Sequence, residues 1–203
     1  MQKNSFFYKL LSHHYVYFLS QKIMSGISFR EKIARLYIKK QNINILDIGC
    51  GPAEILASLN NVNYFGYDIN SNYINYAKKK YLSKKPKLYC KKFTISEVKK
   101  LPKFDVVLLF GLIHHLNNQE NKNLISLCKK VLKKGGFVLT EDPILIKKQN
   151  FIARKLVELD RGANVRTEIN YIKLLKSNFK VVKSKIYHQS FIPYTWFVTR
   201  CSN

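Results

Sequence analysis

Residues 42–59 read NINILDIGCGPAEILASL, and the rest of the chain is arranged around them. Ile43, Ile45, Leu46 and Ile48 make a short apolar run without helical spacing, Gly49 and Gly51 turn the chain, and Ile55, Leu56 and Leu59 resume at helical spacing. That order predicts a strand, a glycine loop and a helix. Two glycines one residue apart open backbone conformations closed to other residues and bring a ligand close to the main chain. Glycine loops between a strand and a helix usually cradle phosphate, and the dinucleotide pattern places a third glycine where this chain has Glu54. A carboxylate there, with Asp47 two residues before Gly49, repels a pyrophosphate. The loop therefore suits a ligand carrying positive charge.

Working outward, residues 64–67 read as a second strand with Asp68 at its end, about twenty residues beyond the loop, where one carboxylate can accept hydrogen bonds from both hydroxyls of a ribose. A helix follows over 70–81, and a third strand over 88–93 leads to Thr94, Ile95, Ser96 and Glu97. Residues 101–110 read as a fourth strand, apolar without a break from Val106 on as a central parallel strand should be, and lead into Gly111-Leu-Ile-His-His-Leu116. Paired histidines at the carboxyl end of a central strand sit where ligands bind in open α/β sheets. A helix over 120–132, a Lys-Lys-Gly-Gly stop at 133–136 and a fifth strand over 137–140 come next, with Glu141 and Asp142 at its end. A helix over 167–176 and two strands, 180–187 and 194–199, finish the chain, the last running antiparallel.

LDIGCGPA resembles motif I of the class I S-adenosylmethionine-dependent methyltransferases, and the resemblance extends over roughly residues 40–203, with Ala53 where that family often has a further glycine. It implies a three-layer αβα sandwich around a Rossmann-like, mostly parallel sheet of seven strands with an antiparallel last strand, and S-adenosyl-L-methionine as cofactor. It also implies that Asp47 lies near the methionine end, that Gly49, Cys50 and Gly51 pass beneath the cofactor, and that Asp68, with Ile69, holds the ribose. Thr94 and Ile95 stand at the adenine, where the acidic residue common at that place is missing, so that Thr94, Ser96 or a backbone carbonyl meets its amino group, and Phe110 leads into the segment facing sulfonium and acceptor. His114, His115 and Glu141 are the candidates for catalysis. Tyr15, Asp142, Arg161 and Arg166 are the candidates for holding the acceptor, and no metal ligand set is expected.

The leading residues 1–40 are expected to form a helical cap, with the aromatic face around His13, His14, Tyr15 and Tyr17 either lining a pocket or packing. Residues 143–168 are extra to a minimal core and hold three of the six arginines, Arg154, Arg161 and Arg166. Against a lysine-rich background, that choice points to bidentate recognition of an anionic handle on the acceptor, or to salt bridges with Glu158, Asp160 or Glu168.

The chain has 203 residues, 46% hydrophobic and 13% aromatic, which suits one domain with a real core and excludes general disorder. Its four scattered cysteines fit reduced thiols in a cytoplasmic protein, and neither a membrane span nor an export signal is evident. The formal charge of +24 favours an anionic partner, yet the lysine pairs are spread along the chain and fit an AT-rich genome. The expected reaction is methyl transfer to O or N of a small acceptor. A tRNA or rRNA methyltransferase using the basic surface, a nicotinamide dehydrogenase, and a non-catalytic member that binds cofactor or a partner protein are the alternatives.

Overall fold

The computed structural model describes residues 27–160, 162–189 and 193–203, with side chains from residue 29 onward. Tyr15, Arg161 and most of the expected cap therefore lie outside the described residues. The described elements run α1 (Ile27–Tyr37), β1 (Ile43–Ile48), a 3-10 turn (Glu54–Ser58), β2 (Val62–Asp68), α2 (Ser71–Lys80), β3 (Lys87–Cys90), α3 (Ile95–Val98) and β4 (Phe104–Phe110). A further 3-10 turn (Leu82–Lys84) lies between α2 and β3, and the elements continue with a third 3-10 turn (Ile113–His115), α4 (Asn118–Val131), β5 (Leu132–Leu145), α5 (Phe151–Glu158), β6 (Arg166–Thr167), α6 (Glu168–Lys176), β7 (Val181–Gln189) and β8 (Tyr194–Ser202).

The strands form one sheet in the order β3-β2-β1-β4-β5-β8-β7, with the two-residue β6 pairing beside the end of β5. All described pairings are parallel except those made by β8, which runs antiparallel to both β5 and β7. The expected three-layer architecture with an antiparallel last strand is thus what the chain adopts, with β6 as an additional short strand. Alternation along the central strands explains why they are apolar on both sides. Ile45, Val106 and Leu108 join α1, α2 and α5 in one core, whereas Leu46, Val107 and Leu109 face α4 and α6 in the other. The reversal between β1 and β4 creates the switch point at which open α/β sheets bind ligands.

Two local expectations are corrected. After the glycine loop the chain forms only a five-residue 3-10 turn in place of an α-helix. Too few residues separate it from β2, and Lys84 donates hydrogen bonds to the carbonyls of Leu56 and Leu59, closing the turn from outside. The Lys-Lys-Gly-Gly stretch does not cap α4: the helix ends at Val131, and Leu132 already pairs with Phe104. The stretch instead forms an irregularity in β5, which resumes opposite Val106 at Phe137. The fifth strand accordingly runs well beyond the expected 137–140, through Glu141 and Asp142 to Leu145.

Candidate active site

The glycine loop is positioned by its own backbone. The N–H groups of Gly49 and Cys50 both donate to the Tyr67 carbonyl, at 2.8 and 3.1 Å, continuing the β1–β2 ladder past the end of β1. The Gly51 N–H donates to Asp68 Oδ2 at 2.8 Å, and Ala53 N–H to the Cys50 carbonyl at 2.9 Å. Positive φ at Gly49, Gly51 and Ala53 (74°, 53° and 53°) makes this folding-in possible. With Pro52 lacking an N–H, the loop has spent the donors a pyrophosphate needs.

Asp68 is fixed from both sides, since its Oδ1 accepts from the Asn70 N–H at 2.8 Å while the Asn70 side chain caps α2. Each carboxylate oxygen keeps acceptor capacity toward a cleft of about 680 Å³. Gly49, Asp68, Ile69, Thr94, Ile95 and Leu112 line its upper part. Ile69 and Ile95 are 78% and 48% exposed, two apolar side chains on a surface that a flat ring can cover. Tyr67, which also lines the cleft, donates its hydroxyl to Glu97 Oε2, and Lys91 pairs with the same carboxylate at 2.8 Å. The cleft suits the expected cofactor: the Asp68 carboxylate oxygens for hydroxyl donors, mostly apolar walls beyond, and a glycine loop whose N–H groups turn inward.

Asp47, Cys50, Gly51 and Phe110 do not line that cleft. Asp47 is buried, accepts the Tyr64 hydroxyl at 2.6 Å, and has its carboxyl pushed up to about 6. Burial causes the rise, partly offset by the Tyr64 hydrogen bond and the charge of Arg30. The Cys50 thiol is raised by burial, and Phe110 belongs to the core.

At the ends of β4 and β5 a second constellation forms. His114 is buried in the turn after β4. Its Nδ1 lies 2.7 Å from Asp142 Oδ1, its Nε2 lies 3.2 Å from Asp160 Oδ1, and its backbone N–H also donates to Asp142. Burial alone would lower the imidazole pKa, but the two carboxylates outweigh it and hold it up at about 9. Asp160, whose Oδ2 accepts the Tyr194 hydroxyl, is pulled down to about 2 by His114 against the effect of burial. Both ring nitrogens of His114 are thus engaged by carboxylates, an arrangement that the sequence reading of it as a candidate base did not foresee. Glu141 is equally committed, fully buried and paired with Arg30 at 3.0 Å. His115 is exposed, with its ring 4.1 Å from that of His114.

Arg166 is the clearest departure from expectation. Its Nη1 donates to the carbonyls of Ile113 and Asn164, its Nη2 to the Leu116 carbonyl and Asn118 Oδ1, and its Nε to Asn118 Oδ1. All five guanidinium donors are thereby used, so Arg166 ties the insert to the turn after β4 and has none left for an anionic acceptor. Arg154 pairs with Glu158, the salt-bridge alternative. Arg30, Asp160 and Tyr194 were not singled out as site residues from the sequence. Arg30 stood out only as an arginine among lysines, and neither Asp160 nor Tyr194 carries a local signal, because their partners are remote in sequence.

The model of a methyltransferase domain matches residues 39–196. No curated protein matches the sequence. Among solved structures, a SAM-dependent methyltransferase from Archaeoglobus fulgidus is similar with a TM-score of 0.69 at 19% identity, over 92% of this chain and 99% of that one. The pyocyanin biosynthetic protein PhzM superposes with a TM-score of 0.74 at 16% identity, over 98% of this chain but 62% of its own length. A putative O-methyltransferase from Nostoc punctiforme gives 0.67 at 17% identity, over 93% of this chain and 61% of that one. These distant likenesses concern the fold, while the domain match covers most of the sequence. The chain belongs to the methyltransferase domain family, within the class I fold whose members take their methyl group from S-adenosylmethionine.

Proposed function

We propose that the protein transfers the S-adenosylmethionine methyl group to an oxygen or nitrogen of a small acceptor molecule. The observation that carries this reading is the glycine loop with its N–H groups turned inward beside the Asp68 carboxylate, a site for a nucleoside without phosphates. Asp68 would accept the two ribose hydroxyls, Ile69 and Ile95 would hold the adenine between them, and the Thr94 hydroxyl would meet its polar edge. Gly49 and Gly51 would pass beneath the cofactor, with Cys50 packed behind. Asp47 supplies negative potential to the cationic end, and Phe110 supports the floor from the core. S-adenosylmethionine supplies the electrophilic methyl. The chain's part is to align the acceptor behind that methyl and keep water out, which accounts for most of the rate in such a displacement.

The cap over residues 1–40 and the insert over 143–168 would close the acceptor side. Asp142 and Glu141 act there through the residues they hold, His114 and Arg30, and His115 is the histidine left to take a proton from an acceptor that must lose one. With the donors of Arg166 spent, an anionic handle would have to be met by Arg161, and Tyr15 would complete the pocket from the cap. Two structural relatives, a putative O-methyltransferase and a mitomycin 7-O-methyltransferase, favour a small hydroxylated acceptor.

The test is S-adenosylhomocysteine release with a panel of phenols, hydroxy acids and amines, and with tRNA in parallel. Turnover on small molecules, with KM for carboxylated acceptors raised at least about tenfold by Arg161→Ala, supports the reading. Turnover on RNA alone would overturn it.

A further inference from the structure

The turn after β4 and the insert bring two imidazoles and a carboxylate to one point. The ligand atoms of His114, His115 and Asp160 all lie within 4.8 Å of one another. His114 Nε2 and Asp160 Oδ1 are 3.2 Å apart, close to the ~3.3 Å edge of a tetrahedron with metal–ligand bonds of about 2.0 Å. His115 is exposed, so its ring can swing the remaining distance without disturbing the core. We propose that His114, His115 and Asp160 form a binding site for a divalent transition metal of borderline softness, zinc foremost, with a fourth position open to solvent.

The surroundings are those of a ligand set and exceed what a lone ion pair requires. Asp142 Oδ1 holds His114 Nδ1 at 2.7 Å, which fixes the tautomer that presents Nε2 outward and makes the imidazole a stronger donor. Asp160 is itself oriented, taking the Gly162 N–H on Oδ1 at 2.8 Å and the Tyr194 hydroxyl on Oδ2 at 2.9 Å. Gly162 lies so close to the His114 ring that a Cβ there would stand 1.9 Å from Cδ2, so the insert closes over the imidazole only because that residue is glycine. Asp142 Oδ2 and Glu141 Oε1 are buried and have no hydrogen-bond partner among the described residues, so uncompensated acceptor oxygens lie beside the site, which favours a cation there. Two nitrogens and one oxygen select zinc, cobalt or nickel over magnesium, which demands an octahedron of oxygens. The open position takes an oxygen donor, either water or the hydroxyl of an acceptor.

The experiment is titration of the metal-free full chain with Co²⁺, read by the visible bands of tetrahedral cobalt, followed by displacement with Zn²⁺ and a Mg²⁺ control. The expected result is one equivalent bound without thiolate charge-transfer bands. Affinity should fall at least tenfold in His115→Ala and in Asp160→Asn and be retained when His13 and His14 are both changed to alanine. Because His115 is exposed, its variant should keep the fold, and S-adenosylhomocysteine titration of the same samples separates this site from the cofactor reading. Absence of tetrahedral cobalt, competition by Mg²⁺, or binding unaffected by His115→Ala but lost without His13 and His14 would overturn the proposal.

Discussion

Asp47 carries the electrostatic argument in its sharpest form. Its carboxyl stands at about 6 in the folded chain against an ordinary 3.8, so the native state binds the proton more tightly than the unfolded state. Its contribution to stability is present below the unfolded value and lost as pH rises through about 6. Stability should therefore fall by roughly 2–3 kcal/mol between about pH 4 and pH 6 in the wild type, with this step absent in Asp47→Asn. At neutral pH the variant should be the more stable protein by urea unfolding, and on the proposed reading it should bind cofactor more weakly, because a buried negative charge beside the cationic end is lost. Arg166 gives the opposite case. Arg166→Ala removes one donor from each of the Ile113, Leu116 and Asn164 carbonyls, the first two keeping Asn121 Nδ2, and should cost on the order of 1–3 kcal/mol in thermal or chemical unfolding. Arg166→Lys should not restore it, since one ammonium cannot reach the separated acceptors. Affinity for S-adenosylhomocysteine should hardly change in either variant. The sequence marked both residues as notable, Arg166 with an anionic acceptor or nearby acids as partners, but not the partners found, since Tyr64 and the Ile113 carbonyl are brought to them only by the closed sheet.

Local signals predicted elements well where the chain's own periodicity decided them. The Asn117 and Glu120 side chains form a reciprocal capping box at the start of α4, and Asn117→Ala should lower stability by about 1 kcal/mol. By contrast, the helix expected after the glycine loop shrinks to a 3-10 turn because Lys84, almost thirty residues on, closes it. The glycines at 135 and 136 read as a helix stop, yet Gly135 serves a backbone turn at φ 79° and Gly136 the approach of β5 to β4. A Cβ on Gly136 would lie 2.9 Å from the Phe104 carbonyl oxygen and 3.0 Å from that of Asp105, both main-chain atoms that cannot step aside. Gly136→Ala should accordingly destabilise by roughly 1–3 kcal/mol and speed amide exchange along β4 and β5.

For the whole molecule, strand order and the carboxyl edge of the sheet bring the chemistry together. The meeting of Gly49 and Asp68 at one cleft was readable in advance, because they lie at the ends of consecutive strands of one unit. The acceptor side was not, because its constellation joins α1, the turn after β4, the end of β5, the insert and β8. No sequence spacing encodes the meeting of His114 with Asp160 or of Arg30 with Glu141. The central claim is that the cleft beside the glycine loop takes the nucleoside of S-adenosylmethionine through Asp68. Calorimetric titration of ligand-free protein with S-adenosylmethionine and S-adenosylhomocysteine, for wild type and Asp68→Ala, tests it most directly. Micromolar binding of both, weakened at least about tenfold in the variant, is the predicted result; no binding by the wild type, or equal binding by the variant, would contradict it.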